Sequence, residues 1–304
     1  MNTASYTHYI KRADIDTAKW DNCIKNASNG LIYGFSSYLD AMAGDWDGIV
    51  TGDYAAVMPI PWKKKFTFQY IYQPFLCAQL GLFGNDINAD LLECSLHSIP
   101  RKFKLWEFPL NHNNLFTIPG YNIYSRVNYV LNLNSSYEEL YNNYRENLRR
   151  NIRRSVNAGC TSTTEADIDQ IFQIIKQHSQ NVSDVDLNHF KSVFIQLKKQ
   201  GSAKTYGILS SKGELLSSAI FLFSHQRAYY LLVGNHSNGR TLGTSHALID
   251  VFIKDHAGRQ LLLDFEGSDI RNLAFFYSSF GAYEERYSAI KKNTLPWYVK
   301  WFKK

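Results

Sequence analysis

Tyr229-Tyr-Leu-Leu-Val-Gly-Asn-His-Ser-Asn-Gly-Arg-Thr-Leu-Gly-Thr-Ser245 is the stretch that decides the fold. Tyr229 to Val233 is an unbroken apolar run, short enough for a buried strand. Gly234 to Gly243 reads as a loop, and Thr244 opens a helix that the apolar spacing carries to Ala257. A helix start offers free amides and a partial positive charge. Gly243 would let a phosphate approach the backbone, and Arg240, Thr244 and Ser245 add donors. Strand, glycine-bearing loop and helix start together make a phosphate cradle on physical grounds. An ordinary capped helix after a long loop has the same pattern.

Upstream lie two more strand candidates, Ala203–Leu209 and Glu214–Phe223. They are joined to each other and to the strand at Arg227–Val233 by tight turns, as antiparallel neighbours are. Downstream, Leu261–Phe265 reads as a buried strand, Ile270–Ser279 as a helix and Ala282–Ser288 as a last strand. Two helices, Asp167–Gln180 and Leu187–Gln200, precede the group. The clearest helix runs from Ser136 to Ala158. Ser136 and Glu139 form a capping-box pair there, and Gly159 supplies the left-handed stop. Tyr137, Leu140, Tyr141, Tyr144, Leu148, Ile152 and Val156 make its apolar stripe. The first half alternates short helices (Asp14–Cys23, Phe35–Ala43, Asn88–Ser98) with strand-like runs up to Tyr121–Leu133. Helices grouped around mostly antiparallel strands predict an α+β protein. A doubly wound nucleotide fold is excluded, because no G-x-G-x-x-G follows a strand.

At 304 residues the chain is long enough for two domains, and 45% hydrophobic residues supply real cores. The four cysteines are scattered and form no C-x-x-C pair, which excludes a disulfide scaffold and a zinc ribbon and fits a reducing, cytoplasmic setting. His225, His236 and His246 have no metal spacing, and no H-E-x-x-H or G-x-S-x-G occurs, so no metal is expected. No targeting segment or membrane-spanning run is read. The net charge of +6 belongs to the second half, since residues 1–134 balance to zero. It is concentrated in the 136–158 helix and the tail from Lys291 to Lys304. The tail, Leu295 to Lys304, is aromatic and basic and suits either a groove of its own domain or weak contact with a membrane surface.

Two further groups bear on chemistry. Arg145, Arg149, Arg150, Arg153 and Arg154 lie off the apolar stripe of their helix, and arginine forks suit phosphate and carboxylate. Asp264, Glu266 and Asp269 close the strand at 261–265, where an open sheet places its ligands. Glu266 is a candidate general base, and Ser268 or Asp269 a helix cap.

Arg240-x-x-Gly243-x-Ser245 after a strand resembles the pyrophosphate loop of the GNAT acyltransferase superfamily, whose pattern is Arg/Gln-x-x-Gly-x-Gly/Ala; Ser245 departs from it. Tyr277-Ser-Ser-Phe-Gly281 resembles that family's Y-x-x-x-G ending. Three stretches are similar to one branch, the FemAB-like acyltransferases with two GNAT-like domains in tandem. They are the basic helix Tyr144 to Gly159, Leu263-Asp-Phe-Glu-Gly-Ser268 with the helix after it, and Gln73-Pro74 through Gln79-Leu-Gly81. Aminoacyl-transferring members carry a lysine where this chain has Tyr277.

The resemblance implies two tandem domains, 1–128 on the acceptor side and 129–304 with the donor site, each a mixed, mostly antiparallel sheet flanked by helices. It implies acyl transfer from acyl-CoA, such as acetyl-CoA, to an amine or hydroxyl of a sugar, peptide or cell-envelope acceptor. Leu231, Leu232 and Val233 would pair with the pantetheine arm, and Arg240, Leu242, Gly243, Thr244 and Ser245 would hold the pyrophosphate. Tyr277 would protonate the leaving sulfur and Glu266 would relay the amine proton. The acceptor, phosphorylated or not, would meet Tyr72, Gln79, Arg149 and Arg153 in a cleft between the domains. Two alternatives keep the fold: aminoacyl transfer from tRNA to a peptidoglycan precursor, and a silent binding module.

Overall fold

The computed structural model describes residues 6–178, 182–267 and 269–296. The chain divides into two compact units. One holds the residues up to Arg126 together with the chain from Arg286 onward, and the other is Val127–Glu285. The boundary expected at 128 lies two residues from the first crossing. The expectation that everything after it belongs to the second domain is corrected, because the chain returns to the first unit at Arg286.

In unit 1 the elements are β1 (Thr7–Ile10), α1 (Thr17–Asn26), α2 (Ser36–Met42), β2 (Asp45–Thr51), β3 (Ala56–Lys65), β4 (Phe68–Ile71), β5 (Phe83–Gly84), α3 (Ala89–His97) and β6 (Phe103–Pro109). Strand β7 (Asn122–Asn132) then carries the chain into unit 2. β1 to β4 form an antiparallel meander, and β4 pairs with β6 in parallel. The short β5 pairs against β3 through Phe83 and Gly84. Ser36 lies inside α2, and Asp21 of α1 accepts both its amide and its hydroxyl, at 2.7 and 2.8 Å. Ile49, Met58, Ile60, Leu92, Trp106 and Phe108 share one core with Ile290, which returns from the far end of the chain.

Unit 2 continues with α4 (Tyr137–Asn142), α5 (Glu146–Asn157), β8 (Thr161–Thr163), α6 (Ile168–His178), α7 (Asp184–Lys199), β9 (Ala203–Leu209), β10 (Leu215–Ser224) and β11 (Arg227–Asn235). It ends with α8 (Ser237–Leu242), α9 (Thr244–His256), β12 (Leu262–Asp264), α10 (Arg271–Ser278) and the start of β13 (Tyr283–Asn293). Its sheet runs β7-β12-β11-β10-β9-β8, antiparallel throughout except that β12 and β11 run in parallel. The three strands before the decisive loop and the helix after it stand where the sequence placed them. One face of the sheet packs on α9, where Phe221 and Phe252 stack at 3.8 Å. On the other face Gly234 of β11 meets Ile174 of α6.

The single helix expected over 136–158 is two. The capping box at Ser136 and Glu139 starts α4, which ends at Asn142. Arg145 leaves helical geometry (φ −65°, ψ 148°) and gives its amide to the Ser279 carbonyl at 3.0 Å. A contact with the end of α10 thus replaces a helical hydrogen bond. The apolar stripe does enter the core through Leu140, Tyr144, Leu148 and Ile152, whereas Val156 is exposed.

Candidate active site

Beyond Tyr229 the two parallel strands separate. β12 pairs with β11 only at Arg227, Ala228 and Tyr229, and stops at Asp264 while β11 continues to Asn235. Among the described residues, no strand covers the remaining edge of β11 on that side. On its other side β11 carries an extra residue. Ala219 opposes Val233 but Phe221 opposes Tyr230, which is a bulge at Leu231–Leu232. The bulge puts Tyr230 and Val233 on the same face, in one core with Tyr277 and α9. An uncovered, bulged strand edge offers backbone donors and acceptors to an extended ligand in the way a partner strand would.

The loop after β11 is more structured than its sequence suggested. His236 caps α8, its Nδ1 accepting from the Asn238 amide. Gly243 (φ +73°) ends α8 and precedes α9 directly. A Cβ there would lie 2.6 Å from the Asn151 carbonyl of α5. Glycine is therefore needed twice, for the left-handed turn and for the close approach of α5. The close approach that the sequence reading reserved for a phosphate is filled, on the Cβ side, by protein backbone. The Thr244 hydroxyl is buried against the Ser217 hydroxyl, and Ser245 donates to Asn235 Oδ1 at 2.7 Å. The Ser245 hydrogen is thereby committed, and the Thr244 hydroxyl is held inward. What the loop still offers an anion is the first amides of α9, the exposed Arg240, and Arg154, whose guanidinium reaches the Thr241 carbonyl at 3.2 Å. Leu242 is half-buried beside them.

Tyr277 of α10 packs beside β11. Its ring stacks on Phe265 at 4.6 Å and stands edge-on to Tyr230 at 6.4 Å. Burial, and then the neighbouring Glu266 carboxylate, push the Tyr277 phenol up to about 12. The structure therefore brings the two expected catalytic residues together. Glu266 is half-buried and adopts φ +66°, a left-handed backbone that costs a non-glycine residue about 1–3 kcal/mol. Its amide donates to Asp264 Oδ1 at 2.9 Å, and the Gly267 amide to Asn128 Oδ1 at 2.6 Å.

Asp264 is not a second base. It is buried and bonded to Arg227 at 2.6 Å and to Asn128 at 2.8 Å. Arg227 also holds Glu285, at 2.5 and 2.9 Å. Burial alone would lower the Arg227 pKa, but the two carboxylates raise it above the usual arginine value. Asp269 accepts from the Val127 amide, and α10 is preceded by Ile270, which has no side-chain cap, so the expected acidic cap is corrected. Ser268 lies outside the described residues.

The remaining expected residues are placed separately. Tyr72 donates its hydroxyl to the Ala43 carbonyl, under Lys63 Nζ at 4.4 Å. Gln79 is buried and accepts from the His112 amide at 2.8 Å, so direct ligand contact requires that bond to open. Arg149 donates to the Asn142 carbonyl at 2.7 Å, and Arg153 pairs with the exposed Glu146 at 2.7 Å. Neither has a described contact with Tyr277 or Glu266. His246 is half-buried between Asn151 (3.3 Å) and the Phe276 ring (4.9 Å). Burial first, then Arg154, push its pKa down to about 4. Asn128, Arg227 and Glu285 were missed altogether. Their one sequence signal is a charged or amide residue at each of three strand positions that turn inward. Trp297 to Lys304, the core of the proposed membrane-contacting tail, lie outside the described residues. Among the described residues no helix is long and apolar enough to cross a membrane, and no His, Cys, Asp or Glu cluster could hold a metal ion.

Residues 142–269 match the family model of the acetyltransferase (GNAT) domain. Comparison with curated proteins gives no significant match. Similar folds are found among solved structures at low identity. The crystal structure of FemX superposes with a TM-score of 0.65 at 14% identity, over 90% of this chain and 96% of that one. L-PGS from Bacillus licheniformis gives 0.57 at 11%, over 94% and 95%. A tandem GNAT protein from the clavulanic acid biosynthesis pathway gives 0.56 at 10%, over 96% and 99%.

Proposed function

We propose that this chain, whose residues 142–269 match the acetyltransferase (GNAT) domain model and whose fold resembles FemX and a tandem GNAT protein, is an acyltransferase that moves an acyl group from a CoA thioester to an amine or hydroxyl. The acceptor proposed is a sugar- or peptide-bearing cell-envelope precursor, met in the cytoplasm. The observation that carries the reading is the uncovered, bulged edge of β11 at Leu231–Val233, with Tyr277 packed against Tyr230 of the same strand and Glu266 beside Tyr277. The pantetheine arm of the donor would bond to that edge. Arg240, Arg154 and the amides of Thr244 and Ser245 would meet its phosphates.

In the chemical step the acceptor nitrogen or oxygen bonds to the thioester carbonyl carbon and the carbon–sulfur bond breaks. Glu266 takes the proton released by the nucleophile. Tyr277 faces the departing sulfur. A phenol near 12 is a weaker acid than a thiol near 8.5, so full proton transfer from it would be uphill by about 5 kcal/mol. Tyr277 therefore acts as a hydrogen-bond donor to the developing thiolate, and the proton-donor role implied by the resemblance is revised. Thiol release from acetyl-CoA, with glucosamine as acceptor, tests the reading. Tyr277→Phe is expected to lower kcat roughly tenfold or more with little change in the KM for acetyl-CoA. Wild-type turnover in that variant contradicts the assignment.

One observation favours a second donor. Helix α5 packs against Gly243, and its exposed Arg150 and Arg154 have no acidic partner among the described residues. That arrangement suits a donor whose phosphates lie on the outside, such as aminoacyl-tRNA. Salt-sensitive retention of charged tRNA, with no response to CoA, would favour it.

A further inference from the structure

Glu266 and Gly267 are consecutive left-handed residues, at φ +66° and +86°. Glycine reaches that region freely and glutamate does not, so something must hold Glu266 there. The hydrogen bonds identify it. Asp264 Oδ1 accepts the Glu266 amide at 2.9 Å and Asn128 Nδ2 at 2.8 Å. Asn128 Oδ1 accepts the Gly267 amide at 2.6 Å and the Tyr129 amide at 2.8 Å. Behind them Arg227 clamps Asp264 to Glu285. Asn128, Arg227 and Asp264 come from β7, β11 and β12, and all three are buried. Two carboxylates on one guanidinium are a costly thing to bury, and well-packed apolar residues would serve stability as well or better. The network's specific output is the shape of the 266–267 turn.

We propose that Asn128 and Asp264 are positioning residues that hold the Glu266 turn in its left-handed form and so aim the Glu266 carboxylate at the Tyr277 hydroxyl, with Arg227 orienting Asp264 from behind. This rests on the reading of Glu266 as the base of unit 2. The network acts on the backbone of the turn, so removing Asn128 changes where the carboxylate points without removing the carboxylate.

The test uses the full chain with carboxyl-13C glutamate, followed by NMR, with Glu266→Gln identifying the Glu266 signal. In Asn128→Ala the Glu266 resonance and its titration midpoint are expected to move, while glutamates outside the network keep theirs. A Glu266 signal and midpoint unchanged in the folded variant overturn the proposal. Asn128→Ser, a gentler truncation, is read in the same way if Asn128→Ala does not fold. Glu266→Gly is expected to raise Tm by about 2–4 °C, because the strain goes while the network stays. A fall in Tm shows that no strain is held there and also overturns the proposal. Thiol release by Glu266→Gln separates the two claims. Wild-type turnover in that variant removes the base assignment, whereas the NMR result decides the positioning independently.

Discussion

Glu266 and His246 show how environment, more than residue type, sets what a side chain does. Glu266 was legible as a candidate because an acid after a short buried strand is a recognisable pattern. Its left-handed backbone and the Asn128–Asp264 frame were not, since those contacts join residues more than a hundred positions apart. His246 gave no usable signal, because its burial depends on two helices distant in sequence. It does make a definite pH prediction. Its pKa is about 4 in the fold and about 6.5 unfolded, so between those values only the unfolded chain takes up the proton. Stability is then unaffected above pH 6.5 and falls as pH drops toward 4, by up to about 3 kcal/mol before discounting for partial exposure. Urea midpoints measured from pH 7 to 4 should fall less steeply in His246→Gln. Parallel slopes in the two proteins would remove His246 from the acid response. His256, whose pKa burial also lowers, contributes in the same sense to both proteins.

At the scale of elements, the periodic helices and the strand meanders were readable because local spacing encodes them. The breaks were not. The α4–α5 break exists because the Arg145 amide goes to Ser279, and nothing local in the sequence announces that. Gly243 was noticed for a phosphate, and only the packing reveals that α5 also needs a glycine there. Gly243→Ala combines a left-handed alanine with a 2.6 Å approach to a carbonyl oxygen. It should destabilise the chain by about 2–4 kcal/mol, visible as a lower urea midpoint at unchanged m. A cost below about 0.5 kcal/mol would mean that α5 is free to move away. Such freedom would reopen the loop to a phosphate as the sequence reading expected.

For the whole molecule, composition and charge indicated two units but not how the chain is shared between them. Residues after Arg286 belong to unit 1 because Ala289–Asn293 pair with Leu105–Pro109 and Ile290 is fully buried in that unit's core. A fragment ending at 128 therefore lacks a strand of its own sheet. It should show neither a cooperative melt nor resistance to limited proteolysis, whereas 127–285 should show both. A folded 1–128 fragment would contradict the division.

The central claim is that unit 2 accepts an acyl-CoA along the free edge of β11. Calorimetric titration of the full chain with acetyl-CoA tests it most directly. One site per chain, weakened at least tenfold by Arg240→Ala, is the predicted result. No heat of binding up to millimolar acetyl-CoA, with a folded chain, would contradict it.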